Sequence, residues 1–176
     1  MHEPLQRRVL AEGRYARLVA QNGWEWAERV NTVGAVVIVA ITADRQLVLV
    51  EQFRIPLGRR VIELPAGLVG DTFDAQHESL DEAARRELLE ETGYEAAAME
   101  FLVAGPSSPG LVNEVYSLFL ARDARRVAAG GGDASEEIHV HLVPLSEAEA
   151  WLERKRSQGI VVDPRVYAGL YFTAVR

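Results

Sequence analysis

Apolar and polar residues alternate over the first part of the chain and then give way to a continuous apolar run. Residues 7–30 follow a period of two, which is typical of strands that bury one face, and Asn22-Gly23 predicts a two-residue hairpin turn. Residues 35–41 (AVVIVAI) are apolar throughout, as expected for a strand that is buried on both faces. The pattern predicts an N-terminal β-meander followed by a central buried strand.

The rest of the chain mixes strand-like and helix-like segments. The further segments that we expect to form strands are residues 46–53, 61–64, 99–104, 115–121 and 138–145. Residues 105–110 (GPSSPG) and 122–134 are predicted to be loops, because the first is rich in glycine and proline and the second is polar and ends in glycines. The predicted fold class is α+β, with a mixed β-sheet between helices.

The first helix has clear sequence boundaries. Ser79 and Glu82 form a capping box at its start, and Gly93 stands where a helix ends in the left-handed conformation. The apolar stripe expected to face the sheet is Leu80, Ala84 and Leu88. Two more helices are predicted, one capped by Ser146 and running to about residue 158, and one opened by Asp163-Pro164 and running to about residue 175.

Three glutamates, Glu87, Glu90 and Glu91, share one end of one face of the first helix. Like charges at such spacings destabilise an isolated helix by roughly 0.2–0.5 kcal/mol per pair, so a bound cation would explain them. Carboxylate oxygens suit Mg²⁺ or Mn²⁺. The alternative is a solvated helix face, in which Glu82 and Arg86 form an ordinary ion pair.

Length and composition narrow the functional classes. The chain has 176 residues, which predicts one domain spanning 1–176, with residues 1–30 as N-terminal strands and 31–176 as the core. It has no cysteine, which excludes thiolate catalysis and disulfides. A net charge of −7 argues against nucleic acid as the main partner, and no apolar run is long enough for a membrane span. A cytoplasmic protein is expected.

The order of the residues around the glutamates is more specific than their charge. Seven residues separate Glu78 from Arg86-Glu87, and these are followed by Glu90, Glu91 and Gly93 in REL-L-EE-T-G-Y. This arrangement resembles the Nudix box, and the chain is similar to Nudix hydrolases. The box has five residues between its loop glycine and its first glutamate, whereas ten separate Gly67 from Glu78, so we expect a five-residue loop insertion.

The resemblance implies the fold, the metal site and its ligands. It implies that Glu87 and Glu91 are the principal ligands of Mg²⁺ or Mn²⁺, that Glu90 lies beside them, and that the backbone carbonyl of Ala66 is a further ligand. Arg86 is expected to orient Glu90 through an ion pair. Glu78 and Glu82 are assigned structural roles.

Outside the box, the chain resembles the branch of the family that hydrolyses ADP-ribose and other nucleoside diphosphate sugars. The resemblance lies in residues 50–56 (VEQFRIP) and 105–115, and in Pro109, which is fifteen residues after Tyr94. The substrate residues that this likeness implies are Trp24, Glu25, Arg29, Arg54, Ser108 and Glu114. Arg54 would bind the diphosphate, unless it is an ordinary surface arginine. Trp24 and Glu25 would recognise the adenine, whereas a core or dimer-interface role is the alternative for Trp24 and the favoured one for Trp26.

The general base is expected in an acidic loop before the last strand. The candidates are Asp133, Glu136 and Glu137, of which we favour Glu136, and Glu90 is also assigned to the catalytic set. His139 and His141 share one face of that strand, and hydrogen-bonding roles are favoured for them over metal binding.

The predicted function is the Mg²⁺-dependent hydrolysis of a nucleoside diphosphate sugar such as ADP-ribose, giving AMP and a sugar phosphate. The alternatives are a GDP- or UDP-sugar, a dinucleoside polyphosphate, or a ligand-sensing Nudix module without catalysis. The resemblance also implies a homodimer, in which the N-terminal meander lends Trp24 to the partner's site.

Overall fold

The computed structural model describes residues 6–30, 32, 34–70, 77–132 and 137–175. The chain opens with an antiparallel sheet of three strands, β1 (Arg8–Glu12), β2 (Ala16–Gln21) and β3 (Trp24–Arg29), in that order. Asn22 and Gly23 turn β2 into β3 with φ angles of 52° and 83°. Both values lie in the left-handed region that a two-residue hairpin requires, so the predicted meander and its turn are confirmed.

A mixed sheet of nine strands forms the centre of the described structure. Its strands are β4 (Gly34–Thr42), β5 (Gln46–Arg54), β6 (Arg59–Glu63), β7 (Ala66–Val69), β8 (Tyr94–Glu95), β9 (Met99–Pro106), β10 (Val115–Arg126), β11 (His139–Pro144) and β12 (Val161–Val162). The main path runs β12-β6-β5-β4-β10-β8, while β7 pairs with β4, β9 with β10 and β11 with β5. The β4–β10 and β6–β12 pairs are parallel and the others antiparallel.

Three helices cover the two faces of this sheet: α1 (Leu80–Thr92), α2 (Ala148–Ser157) and α3 (Pro164–Val175). The alternate residues of β4 from Val36 to Ala40 lie in one apolar core with α1, and those from Val37 to Ile41 lie in a second core with α2 and α3. Both faces of the strand are therefore dry, which explains its continuous apolar sequence. The predicted α+β class, with a mixed sheet between helices, is confirmed.

The boundaries of α1 are those that the sequence predicts. Ser79 accepts a hydrogen bond from the amide of Glu82, whose side chain accepts one from the Ser79 amide, and Gly93 ends the helix with φ 75°. The apolar stripe was wrong at one position, because Leu80 lies in the first turn and is 39% exposed. The buried face is instead made by Ala83, Ala84, Glu87, Leu88 and Glu91, together with Thr92.

The segment 122–134, predicted to be a loop, is in its first part a continuation of β10. The strand runs to Arg126 through an irregularity between Ala121 and Ala124, where Asp123 has φ 52°. Its last residues pair with the two-residue strand β8. Most side chains in this end of the strand are exposed, so their polarity was mistaken for that of a loop.

The start of α2 also differs from the prediction. Ser146 lies within a short 3₁₀ helix, Leu145–Glu147, and α2 begins at Ala148 without a side-chain cap. The amide of Ala148 donates to the carbonyl of Leu145, so this preceding turn supplies the hydrogen bond that ties the chain to the helix start. The serine was therefore wrongly assigned as the N-cap.

The C-terminal helix is anchored beside β6. The short strand β12 pairs in parallel with β6, and the Asp163 amide donates to the Ile62 carbonyl at 2.9 Å. The Asp163 carboxylate accepts a hydrogen bond from the Arg165 amide at 2.7 Å, as predicted for an N-cap. These contacts bring the beginning of α3 to the end of β6. None of the described helices is long and apolar enough to cross a membrane.

Candidate active site

A cleft of about 880 Å³ lies where α1 faces β7 and the ends of β5 and β6. Its described lining contains four arginines and six carboxylates: Arg29, Arg54, Arg86, Arg165, Glu63, Glu87, Glu90, Glu91, Glu114 and Asp163. The carboxylates outnumber the guanidinium groups, so the lining carries a negative formal charge. A phosphorylated ligand would need a cation with it in order to bind here.

Two of the three clustered glutamates lie on the buried face of α1. Glu87 is 9% exposed and Glu91 is 4% exposed. Glu91 accepts a hydrogen bond from the Ala66 amide at 3.0 Å, which fixes its carboxylate against β7. Glu87 lies against Gly67, where an added Cβ would come within 1.8 Å of the Glu87 carboxyl carbon. Glycine at this position is therefore what leaves room for the Glu87 carboxylate.

Arg86 joins the carboxylates of α1 to the preceding loop. Its Nη1 donates to Glu87 at 2.8 Å and to Glu90 at 3.1 Å, so the predicted ion pair with Glu90 is present. Its Nη2 donates to Glu78 at 2.8 Å and to the Leu68 carbonyl at 3.0 Å. The hydrogen bonds that Arg86 donates to Glu78 and the negative charge of Glu87 raise the pKa of Arg86, so the guanidinium is always charged.

The loop insertion is closed at its base. The Gly70 amide donates to the Glu78 side chain at 3.2 Å, and Glu78 in turn binds Arg86. These bonds join the two ends of the longer loop, whose residues 71–76 lie outside the described part. Burial would raise the pKa of Glu78, but the hydrogen bond from Arg86 is the larger effect and lowers it. The extra residues therefore leave β7 in contact with α1.

The donors at this end of the cleft suit a hard divalent cation. Mg²⁺ is usually held by one or two protein carboxylates, with waters and substrate phosphates completing its coordination. The buried pair Glu87 and Glu91 matches that requirement, and Ala66 is adjacent in the chain to the glycine that receives Glu87. Within the described residues, no group of three or more His, Asp or Glu side chains is arranged to hold an ion.

Three of the predicted substrate residues line this cleft. Arg54, the last residue of β5, donates from Nε to Glu63 at 2.7 Å, so it is held at one edge rather than being an unconstrained surface arginine. Arg29, at the end of β3, forms an ion pair with Glu114. This pair connects the N-terminal sheet to the loop before β10.

The other three predicted substrate residues lie elsewhere in the described structure. Trp24 is 66% exposed and lines a separate cavity of about 320 Å³ with Pro109 and Asn113. Neither Trp24, Glu25 nor Ser108 is among the residues of the carboxylate cleft. Trp26 is half-buried and donates from Nε1 to Glu28 at 2.9 Å, which agrees with the structural role favoured for it.

The predicted general base cannot be compared with the cleft, because Asp133 and Glu136 lie outside the described residues. Glu137 is described, and it binds Arg60 at 3.1 Å and His139 at 3.2 Å, away from the cleft lining. His141 hydrogen-bonds to Glu51 at 2.9 Å, which is the kind of role that the sequence favours for His139 and His141. Burial lowers its pKa, although the Glu51 carboxylate partly opposes that effect.

Sequence reasoning missed three charged residues of the cleft: Glu63, Asp163 and Arg165. Glu63 directly precedes the glycine loop, and Asp163 was interpreted only as a helix cap. Arg165 is far from the Nudix box in sequence. An Asp-Pro-Arg sequence at a helix start signals a cap, and only the β6–β12 pairing shows that it faces the cleft.

The chain is similar to known proteins over most of its length. The NUDIX domain model matches residues 31–163. The chain is 38% identical over 129 residues to an ADP-ribose pyrophosphatase of Bacillus subtilis, covering 73% of this chain and 67% of the relative. It is 38% identical over 141 residues to a GDP-mannose pyrophosphatase of Cronobacter sakazakii (75% and 68% covered) and 37% identical over 130 residues to a methanol dehydrogenase activator of Bacillus methanolicus (73% and 68% covered).

The overall fold has a solved counterpart as well. The crystal structure of an ADP compounds hydrolase superposes with a TM-score of 0.74 at 24% sequence identity, covering 98% of this chain and 91% of that one. At this identity the likeness establishes the fold. The domain match spans most of the chain and includes the complete box of glutamates. The chain therefore belongs to the Nudix hydrolase family, as the sequence of its first helix predicts.

Proposed function

We propose that the protein is a Mg²⁺-dependent hydrolase of ADP-ribose or a related nucleoside diphosphate sugar, which it cleaves at the diphosphate to a nucleoside monophosphate and a sugar phosphate. The observation that carries the proposal is the cleft itself, in which the buried carboxylates Glu87 and Glu91 face the same space as Arg54. The relatives named ADP-ribose pyrophosphatase and GDP-mannose pyrophosphatase support this class of substrate.

In this proposal Glu87, Glu91 and the backbone carbonyl of Ala66 hold the divalent ion, which when bound neutralises phosphate charge and activates water. Arg86 keeps the carboxylates of Glu87 and Glu90 in fixed orientations through Nη1. Such orienting groups commonly change metal affinity or activity by roughly 10–100-fold when they are lost. The donors are all oxygen, a set that fits Mg²⁺ and also Mn²⁺.

The remaining chemistry falls to residues of the chain that bind phosphate and accept a proton. Arg54 keeps its two terminal guanidinium nitrogens for phosphate oxygens, since only its Nε is bonded to Glu63 among the described contacts. The carboxylate of Glu136 is proposed to take the proton of the attacking water. The water oxygen forms a bond to phosphorus, and the bridging oxygen leaves with the other phosphate.

A panel of phosphate esters tests this function. With Mg²⁺ we expect ADP-ribose or GDP-mannose to give a nucleoside monophosphate and a sugar phosphate, as measured by chromatography of the products. If a UDP-sugar or a dinucleoside polyphosphate were cleaved faster, that compound would replace ADP-ribose as the proposed substrate. If no compound of the panel were cleaved while one of them bound, the chain would be a ligand-sensing module instead.

We further propose that the chain acts as a single domain and a homodimer, in which the first 30 residues mediate dimerisation and present Trp24 and Glu25 to the partner's cleft. The separation of Trp24 from the carboxylate cleft of its own chain supports this arrangement. Sedimentation should then show a dimer. The cytoplasmic location stays a prediction from the sequence.

Trp24→Ala is expected to raise KM for ADP-ribose with little change in kcat. Stacking on a base contributes about 1–3 kcal/mol, which corresponds to roughly 5–150-fold in KM. Steady-state kinetics measure both constants. Tyr15→Ala is the matched control, because Tyr15 is a similarly exposed aromatic residue in the connection between β1 and β2, at 68% against 66% for Trp24. An unchanged KM in Trp24→Ala would refute the adenine contact.

A further inference from the structure

Four charged side chains, Arg54, Glu63, Asp163 and Arg165, form a quartet on the wall of the cleft where β5 and β6 end and α3 begins. Arg54 binds Glu63 at 2.7 Å. Arg165 binds Asp163 through both Nε at 2.9 Å and Nη2 at 2.5 Å, and the same Nη2 lies 3.7 Å from Glu63. The two ion pairs are therefore linked through Glu63.

The quartet has its acids inside and its bases outside. The side chains of Glu63 and Asp163 are 9% and 16% exposed, whereas those of Arg54 and Arg165 are 39% and 31% exposed. The Arg165 guanidinium also lies 5.6 Å from the centre of the Tyr116 ring, a contact that restricts its movement. The carboxylates thus hold two guanidinium groups at the surface of the cleft.

Each arginine uses only part of its hydrogen-bonding capacity in this network. The bonds of Arg54 within the described residues involve Nε, and those of Arg165 involve Nε and Nη2. The terminal nitrogens of Arg54 and Nη1 of Arg165 have no hydrogen-bond partner in the described part of the chain. Guanidinium groups fixed in this way bind phosphate oxygens well, because less side-chain freedom is lost on binding.

The side chains of Asp163 and Arg165 stabilise each other in their charged forms. Burial raises the pKa of Asp163, but the hydrogen bonds from the Arg165 side chain and amide outweigh burial and lower it. The hydrogen bond to Asp163 in turn raises the pKa of Arg165 against the opposing effect of burial. Arg165 is therefore a cation when a phosphorylated ligand arrives.

We propose that Arg165 is a second substrate contact, which binds diphosphate oxygens together with Arg54 on the wall opposite the carboxylates of α1. A diphosphate has non-bridging oxygens on both phosphorus atoms, so one wall can bind it through guanidinium groups while the other binds it through a metal ion. This inference rests on the proposed function for the identity of the substrate.

Binding of methylenediphosphonate tests the contact without turnover, because the P–C–P bridge of this compound cannot be hydrolysed. Isothermal titration in the presence of Mg²⁺ should show that Arg165→Met binds this compound at least about tenfold more weakly than the wild type does. A loss of this size is expected when a charge-assisted hydrogen bond is removed. Arg156→Met is the matched control, since Arg156 pairs only with Glu153 in the described contacts and lies on the surface of α2. Equal affinity of Arg165→Met and the wild type would overturn the proposal.

A second variant separates direct contact from a loss of structure. Arg165→Met leaves Asp163 without its partner, so Asp163→Asn/Arg165→Met removes that uncompensated charge as well. The double variant should unfold at a higher temperature than Arg165→Met yet bind methylenediphosphonate as weakly. Recovery of wild-type affinity in the double variant would show that Arg165 acts only by balancing Asp163, and the contact would be rejected.

Kinetics distinguish this inference from the proposed function. With ADP-ribose or GDP-mannose, Arg165→Lys should raise KM about tenfold while kcat changes less than threefold, because lysine retains the charge but cannot bind Asp163 through two nitrogens and present a third to the ligand. If the wild type hydrolysed nothing in the panel and Arg165→Met still weakened methylenediphosphonate binding, the function would fail and the diphosphate contact would stand. If the wild type hydrolysed the substrate and the Arg165 variants kept its KM and its affinity for methylenediphosphonate, the function would stand and the Arg165 contact would be rejected.

Discussion

Replacing Glu91 with glutamine is expected to lower kcat by about 10²–10³-fold, by analogy with the loss of one preorganised electrostatic group at a reacting centre. Glu91 is 4% exposed and its Oε2 accepts the Ala66 amide at 3.0 Å. A glutamine oxygen can accept the same hydrogen bond and has the same size. The substitution therefore removes the negative charge while retaining the packing between α1 and β7.

Steady-state kinetics at saturating Mg²⁺ measure this effect, and a thermal melt checks that the fold is retained. Asp81→Asn is the control on the same helix, because Asp81 forms a half-exposed ion pair with Arg85 at 2.9 Å, far from the cleft lining. A surface pair of this kind contributes little, so its kcat should stay near the wild-type value. If Glu91→Gln had a kcat close to that of the wild type, the assignment of Glu91 as a metal ligand would be rejected.

The contrast between these acids shows what the sequence could predict. The capping box, the C-terminal glycine and the spacing of Glu87, Glu90 and Glu91 are all local to α1, and local spacing fixes which residues share a helix face. The predicted helix and its acidic face were therefore recoverable from one stretch. The same spacing did not show that Glu87 and Glu91 are buried while Glu90 is exposed, because burial depends on how α1 packs on β7.

The opposite wall of the cleft depends on contacts between distant parts of the chain. Arg165 faces Glu63 because the two-residue strand β12 pairs with β6. A strand of that length has no periodicity, so neither β12 nor its pairing with the predicted strand β6 could be read from the sequence. The prediction of a loop at the polar end of β10 was wrong for a related reason. The last residues of this strand form a strand because they pair with β8, and their own sequence pattern does not show it. Local signals thus predicted one wall, and non-local strand pairing determines the other.

Gly67 can be recognised in the sequence as a glycine of the box, but the reason for a glycine at this position is found only in its contact with Glu87. A Cβ at this position would lie 1.8 Å from the Glu87 carboxyl carbon and 2.1 and 2.3 Å from its oxygens. The φ angle of Gly67 is not among the positive values, so alanine suits the backbone. The three atoms nearest to this Cβ all belong to the Glu87 carboxylate, which must therefore move away from β7.

Gly67→Ala is accordingly expected to lower kcat on the order of 10²-fold, the cost of misplacing a catalytic group by about 1 Å. It should also raise the Mg²⁺ concentration for half-maximal rate by roughly 10–100-fold, as for other changes that disturb ligand orientation. Titration of the rate with Mg²⁺ measures both effects, and the melting temperature reports any general loss of stability.

Gly105→Ala is the matched control for this prediction. Gly105 is also a strand glycine without a positive φ, but its added Cβ would lie no closer than 3.8 Å to the nearest atom, the hydroxyl oxygen of Tyr116. We therefore expect wild-type kcat and Mg²⁺ dependence for Gly105→Ala. If Gly67→Ala retained both as well, the close approach of Glu87 to β7 would have no part in metal binding. A fall in kcat with an unchanged Mg²⁺ dependence would instead assign Glu87 to the reacting centre rather than to the ion, because the same displacement would then disturb substrate geometry without weakening the metal site.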